Sequence, residues 1–280
     1  MTAPYVIAVG LADVRHDPDS TSELVTQALM NVPVTPDESV DEWTHVTLPD
    51  YTGWIRTEAL ADPVQKGFTR IGERCCATPL GLVAVITTPC TALYEQEMGE
   101  ARQDTVYLST VLPLLDATPA ERIQVALPDE RTGWLTRRDI ALQQQETVFP
   151  QQPVSTATHY ARAFLGVPYL WGGTSWRGID CSGLVQLCYR MSGYIVPRDA
   201  NQQHDALHTS VSLHEMREGD LIFFGKAHIT HVALALNDKE YIHAEGQNYN
   251  CVTINSFDSA DAHFDKRLLD LVCAVKRVEV

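Results

Sequence analysis

Cys181, His231 and His243 are the residues whose types and spacing fit one piece of chemistry. Cys181 lies in "GGTSWRGIDCSGLVQLCYRMSG" (172–193), where a glycine-rich loop gives way to apolar residues at helical spacing, Leu184, Val185, Cys188 and Met191. Asp180, just before it, suits an N-cap whose carboxylate accepts a first-turn N–H. A thiol in that first turn faces unpaired N–H groups and the positive dipole end, which favour the thiolate and lower its pKa. The Cys181 amide is placed to donate to a developing oxyanion, and Gly183 leaves room for a substrate backbone. The competing reading is a small buried apolar residue. It suits Cys188, Cys251 and Cys273, and Cys75, Cys76 and Cys90 in or beside an upstream β region.

A thiol nucleophile needs a base, and the base needs something to orient it. Histidine titrates near neutrality and fits the base. Of ten histidines, His231 in "ITHVALAL" and His243 in "YIHAEG" stand inside apolar strands, where a ring without a polar partner is costly. His204, His208 and His214 lie in polar segments and read as solvated. A four-residue loop at "NDKE" would put His231 and His243 on opposite faces. A five-residue loop sets His243 opposite Ala233, diagonal to His231, so a catalytic pairing predicts an odd loop. In "HITH" the odd step between His228 and His231 points the rings to opposite faces, which argues against a metal site; neither a metal nor another cofactor is expected.

The elements that must position these groups are legible as a helix from "TATHYARAFLGVPYLWGG", with Tyr160, Ala161, Phe164 and Leu165 on one face and Gly166 ending it, then the Cys181 helix. After these comes a loop with "VPRDANQQ" and strands at 220–225, 229–237, 241–246, 252–257 and the terminal "CAVKRVEV". Helices followed by a run of strands give an α+β domain, over 155–280. Upstream, "WTHVTLPDYTGWIRTEAL" (44–61) echoes "IQVALPDERTGWLTRRDIAL" (123–142), each with an alternating strand, a Leu-Pro-Asp turn and Gly-Trp. Two small all-β barrels are predicted, at 1–63 and 78–144, with Trp54 and Trp134 equivalent and Gly supplying positive φ in the turn; the alternative is two hairpins of one larger sheet. "QQQETVFPQQPVS" (143–155) reads as a linker.

Composition agrees with this setting. A chain of 280 residues that is 45% hydrophobic and 20% charged folds into two or three domains. Its formal charge of −15 argues against nucleic acid or an anionic membrane surface as partner. No stretch reaches a membrane span, of about 18 apolar residues, and the N-terminus makes a poor signal peptide. Seven cysteines without CxxC pairs fit a reducing compartment. The expectation is a cytoplasmic protein, with an exported one as the alternative and the oligomeric state left open.

The ordered set "DCSGLVQ", "THVALAL" and "YIHAEG" resembles the NlpC-type papain-like cysteine peptidases of bacterial cell-wall metabolism, over roughly 155–278, while "LPDYTGWI" and, more weakly, "LPDERTGWL" resemble bacterial SH3-like domains. The resemblance implies an α+β papain-like peptidase domain preceded by two small all-β SH3-like barrels. It makes Cys181 the nucleophile, His231 the general base and acid, His243 the group that orients His231, and Tyr169 the tyrosine near the oxyanion site. The architecture is similar to γ-D-glutamyl-L-diamino-acid endopeptidases, which implies cleavage of the γ-D-glutamyl–diamino acid bond in murein-derived peptides with a free N-terminal L-Ala, in peptidoglycan recycling. On the same resemblance Asp180 and Ser182 read the substrate amine, Tyr51 and Glu23 line the pocket from the first barrel, and Arg198 and Asp199 belong to the cleft-side loop. Ala200 departs from the serine of some relatives, and the second barrel receives no site. The competing functions are a secreted cell-wall hydrolase with wall-binding SH3-like modules and a catalytically silent binding scaffold.

Overall fold

The computed structural model describes residues 5–62, 70–71, 74–75, 81–118 and 121–279. It falls into two compact units, Met1–Val148 and Phe149–Val280. The expected barrel boundaries at 63 and 78, and Cys76, lie outside the described residues, as does the side chain of Cys75.

The N-terminal unit is all-β. Its first sheet contains β1 (Tyr5–Ile7), β2 (Leu11–Arg15), β3 (Leu24–Leu29), β4 (Pro33–Val40), β5 (Trp43–Thr47), β6 (Thr52–Arg56) and β7 (Leu60–Ala61), in the order β3-β2-β6-β5-β4-β1-β7. A two-strand pair, β8 (Arg70–Ile71) and β9 (Arg74–Cys75), follows. The second sheet contains β10 (Leu82–Ile86), β11 (Cys90–Tyr94), β12 (Arg102–Tyr107), β13 (Val111–Asp116), β14 (Arg122–Ala126), β15 (Thr132–Thr136) and β16 (Ile140–Gln144), in the order β12-β11-β15-β14-β13-β10-β16. The two orders are the same topology, each strand matched to its counterpart, so the sequence echo is a structural repeat. Trp54 on β6 and Trp134 on β15 occupy equivalent places, paired with Arg15 and Tyr94. Each sheet closes on its own apolar cluster, Val14, Val46 and Ile55 in one and Leu93, Val125 and Leu135 in the other. Met30 of the first barrel is buried in the second barrel's cluster. The backbone N–H of Gly10 donates to Asp104 Oδ2 at 2.7 Å, and Asn31 Nδ2 donates to the Val111 carbonyl at 3.0 Å.

The Gly-Trp glycines have a different purpose from the one expected. Positive φ in the second turn falls on Asp129 and Glu130, which absorb the one-residue-longer "DERT". Gly53 and Gly133 are strand residues: a Cβ on Gly53 would lie 2.7 Å from Val14 Cγ1 and from the Arg15 carbonyl, and one on Gly133 2.7 Å from Leu93 Cδ1. What they provide is close approach of strand to strand.

The C-terminal unit is α+β. Its elements are α1 (Ser155–Arg162), the small hairpin β17 (Thr174–Ser175) and β18 (Gly178–Ile179), α2 (Cys181–Met191), α3 (Ala200–Ala206), β19 (Thr209–Val211), β20 (Leu221–Gly225), β21 (Ile229–Ala235), β22 (Glu240–Glu245), β23 (Cys251–Ser256), α4 (Lys266–Leu269) and β24 (Val272–Arg277). The six-stranded sheet runs β19-β24-β20-β21-β22-β23, antiparallel throughout. Strands β20 and β22 and residues 232–235 of β21 are buried on both faces, which explains their near-continuous apolar runs. On one face Ile222, Phe224, Ala233 and Val275 cluster with Met216 and Leu268, and α2 lies against β21 and β22.

Several local expectations shift. Helix α1 buries Ala157, Thr158 and Ala161; Phe164 beyond its end is also buried, but Leu165 is exposed. Helix α3 begins inside the segment "VPRDANQQ", with Asp199 at its N-cap position. The second half of the Gln-rich linker belongs to the C-terminal unit. Gln152 donates its N–H to the Ser192 carbonyl, Tyr194 Oη donates to the Gln152 carbonyl, and Gly193, at φ +80°, lets Pro150 approach its Cα.

Candidate active site

The site is built where the start of α2 meets β21. Asp180 caps the helix, its Oδ1 accepting the Gly183 N–H at 2.6 Å, and Cys181 is the first helical residue. The glycine-rich loop is locked to the same carboxylate: Gly172 N–H donates to Asp180 Oδ2 at 2.9 Å, and Asp180 N–H donates to the Gly173 carbonyl at 3.1 Å. The ladder between β21 and β22 runs through Leu234↔Ile242 and Ala235↔Tyr241. Three residues before Ala235, the Val232 N–H is turned instead to the Cys181 thiol.

That register leaves five residues between Ala235 and Tyr241, so the connection is odd. It sets His243 opposite Ala233 and puts the two histidine rings on one face, as the pairing required. His231 Nε2 lies 2.8 Å from His243 Nδ1, and His243 Nε2 lies 2.9 Å from Asn255 Oδ1. His243 and Asn255 are fully buried, and His231 keeps part of its surface open. Burial, the neighbouring His243 and Arg267 hold the His231 pKa well below its ordinary 6.5. Burial also lowers that of His243, against the opposing pull of Asn255, Glu245 and Asp265. Both rings are therefore neutral at neutral pH.

The thiol itself corrects an expectation. Burial pushes the Cys181 pKa up to about 12, the Asp180 carboxylate adds to the rise, and the N–H groups of Val232 and Ser182 with the Arg198 cation oppose it. The helix start was expected to lower this pKa; with no substrate present, desolvation outweighs it. Gly183 also differs from expectation. A Cβ there would lie 2.6 Å from the Gly173 carbonyl and 2.9 Å from Asp180 Oδ1, so the close neighbour is the chain's own loop rather than a substrate backbone.

Asp180 and Ser182 are committed to Arg198. Arg198 is 2% exposed and grips the carboxylate with two parallel bonds, Nη2 to Oδ2 at 2.6 Å and Nη1 to Oδ1 at 3.0 Å. Its Nη1 also donates to Ser182 Oγ at 3.1 Å, and Ser182 Oγ donates to Asp180 Oδ1 at 3.3 Å. Five donors thus converge on a carboxylate with about four lone-pair sites. Asp180 thus caps the helix as expected, and the same carboxylate also holds Arg198, Ser182 and the glycine-rich loop. Gln203, also fully buried, donates Nε2 to the Ser182 and Pro197 carbonyls.

Tyr169 stands beside this centre, its ring against Gly246. Burial raises its pKa, and Cys181 and Asp180 push the same way, so the phenol keeps its proton. Asp199 is half-buried at the start of α3. Glu23, exposed, and Tyr51, packed on the first barrel's core, belong to the N-terminal unit. That unit has a cleft of about 560 Å³ lined by Asp13, Arg15, Trp43, Arg56 and Glu58, which contains no nucleophile–base pair. Asn255 is the site residue that the sequence reading missed; its signal was a polar side chain in "VTINSF" on the His243-facing side of its strand. Of the other cysteines, Cys188 is buried as expected, whereas Cys273 is exposed.

A buried thiol at a helix start, set against a strand with a bonded histidine pair in an antiparallel sheet, defines an α+β domain behind an all-β SH3-like region. Residues 166–269 match the NlpC/P60 family, and residues 14–60 match the bacterial dipeptidyl-peptidase SH3 domain. The chain therefore carries an NlpC/P60 peptidase domain and an N-terminal SH3-like domain. It is 28% identical to a gamma-D-glutamyl-L-lysine dipeptidyl-peptidase of Bacillus cereus over 244 residues, 80% of this chain and 68% of the relative. It is 28% identical to dipeptidyl-peptidase 6 of Lysinibacillus sphaericus over 287 residues, covering 96% and 97% of the two chains. The fold superposes on a crystal structure of an NlpC/P60 family protein from Bacillus cereus with a TM-score of 0.83 at 24% identity, over 98% of this chain and 99% of the other. Among the described residues, no helix is long and apolar enough to cross a membrane.

Proposed function

We propose that this protein is a cysteine endopeptidase that hydrolyses the γ-D-glutamyl–diamino acid bond of murein stem peptides carrying a free N-terminal L-Ala, in cytoplasmic peptidoglycan recycling. The observation that carries this reading is the bonded pair His231–His243 on the strand whose Val232 N–H meets the Cys181 thiol. In this reading His231 takes the thiol proton as Cys181 Sγ attacks the γ-glutamyl carbonyl carbon. The Cys181 N–H and the protonated Tyr169 phenol hold the resulting oxyanion. His231 returns the proton to the departing diamino-acid nitrogen, and water then cleaves the thioester with His231 as base. His243 keeps the ring of His231 in place. The bond and the amine requirement rest on relatives named for γ-D-glutamyl-L-lysine and dipeptidyl peptidase activity.

The bonds to Asp180 support a structural role for its carboxylate, beside the amine reading by Asp180 and Ser182 and the pocket lining by Glu23 and Tyr51 that are proposed from the resemblance. The deciding assay is turnover of L-Ala-γ-D-Glu-diamino-acid peptides with free and N-acetylated termini. Wild type cleaves the free peptide and Cys181→Ala does not. Equal cleavage of the acetylated peptide or of intact wall would defeat the recycling reading and favour a wall hydrolase.

A further inference from the structure

The orientation of one buried amide settles which nitrogen of each histidine carries a hydrogen. Asn255 is fully buried in β23. Its amide nitrogen donates to the His263 carbonyl at 2.9 Å and to Tyr249 Oη at 2.8 Å. A backbone carbonyl can only accept, so the atom facing it is the NH2, and the atom facing His243 is the oxygen. Asn255 Oδ1 must then receive a hydrogen from His243 Nε2. Neutral His243 holds one ring hydrogen, so its Nδ1 is an acceptor and must receive from His231 Nε2. The lone pair of His231 is left on Nδ1.

We infer that Asn255 is a positioning residue, the fourth member of a relay Asn255–His243–His231–Cys181, and that it fixes His231 as the Nε2–H tautomer with Nδ1 as its basic nitrogen. The His263 carbonyl anchors the relay, because a hydrogen-bond acceptor at that point forbids the flipped amide. Strand register makes the alignment. His231 and His243 are diagonal neighbours across β21 and β22; His243 pairs with Thr253, so Asn255, two residues on, is its diagonal neighbour across β23. If the amide oxygen were removed, His243 could move its hydrogen to Nδ1 and donate to His231 Nε2. The hydrogen of His231 would then sit on Nδ1, the nitrogen needed as base. A wrong tautomer in an intact frame costs catalysis rather than binding.

This inference rests on His231 being the base, but its primary readout needs no substrate. Two-bond 1H–15N spectra of the labelled wild-type protein at neutral pH, with peaks assigned through His231→Gln and His243→Gln, should show both rings as Nε2–H tautomers. An Nδ1–H pattern for either ring overturns the relay, whatever bond the enzyme cleaves. In Asn255→Leu the His231 pattern should change to Nδ1–H, with kcat reduced about 100-fold and KM within about twofold. Unchanged tautomers and kcat in that variant would also overturn it. Should Asn255→Leu fail to fold, the wild-type spectrum decides. If no murein peptide is cleaved while both rings are Nε2–H, the proposed substrate is wrong and the relay stands.

Discussion

Burial and helix-start geometry pull the Cys181 thiol in opposite directions, and burial wins, pushing its pKa up to about 12. His231, held below its ordinary range, is neutral beside it, so the free enzyme holds a neutral pair rather than a thiolate–imidazolium pair. Reaction with an alkylating reagent follows the thiolate fraction. Iodoacetamide should therefore modify Cys181 about tenfold faster per pH unit between pH 7 and 9, with no plateau, read by mass spectrometry of the 181-containing peptide. A rate independent of pH over that range would show a preformed ion pair. Deprotonation thus belongs to the attack itself, with His231 taking the proton as the sulfur bonds to the carbonyl carbon.

The first turn of α2 is held by a carboxylate that serves three segments at once: its own helix through the Gly183 N–H, the glycine loop through the Gly172 N–H, and the approach to α3 through the Arg198 guanidinium. Gly183 makes this possible, since its missing Cβ would lie 2.6 Å from the Gly173 carbonyl. A methyl normally favours a helix, by up to about 1 kcal/mol over glycine. Here it would meet backbone that cannot rotate away. Gly183→Ala should lose about 1–3 kcal/mol of stability in chemical denaturation and lower kcat, because Cys181 lies on the same turn. A variant as stable as wild type would show that the loop yields. The β21–β22 hairpin is the other positioning element. Its odd connection alone decides that the rings of His231 and His243 meet.

At the scale of the molecule, the two buried histidines tie stability to pH. Both have folded-state pKa values below the ordinary 6.5. Such a group binds fewer protons folded than unfolded, so its contribution is complete above pH 6.5 and is lost as pH falls through the folded value. The melting temperature of the C-terminal unit should be flat between about pH 7 and 8, below the range where the buried thiols begin to matter, and fall progressively below 6.5. His243→Gln, which removes one of the two groups, should fall less steeply; a parallel decline in both proteins would place the acid sensitivity elsewhere. The N-terminal unit behaves as one body of two like barrels, joined through Gly10–Asp104 and through Met30 in the second barrel's core.

The sequence by itself determined the α+β class, the repeat behind it and the identities of Cys181, His231 and His243. These depend on local signals: a cap before a helix, alternation in a strand, and the cost of a lone histidine among apolar neighbours. Even the parity of the hairpin loop could be stated as a condition. Which parity holds depends on backbone pairing that residue types around "NDKE" do not specify. Tertiary structure decided the rest. Asp180 looked available for a ligand because its sequence neighbours leave it half-satisfied; Arg198, 18 residues away, fills it. The helix start promised a thiolate, but desolvation depends on what packs over the sulfur. Asn255 was one polar residue among many in a strand until register set it beside His243. In each case the deciding partner is distant in sequence, and only the folded chain brings together the charge, the burial and the hydrogen-bond direction that assign a role.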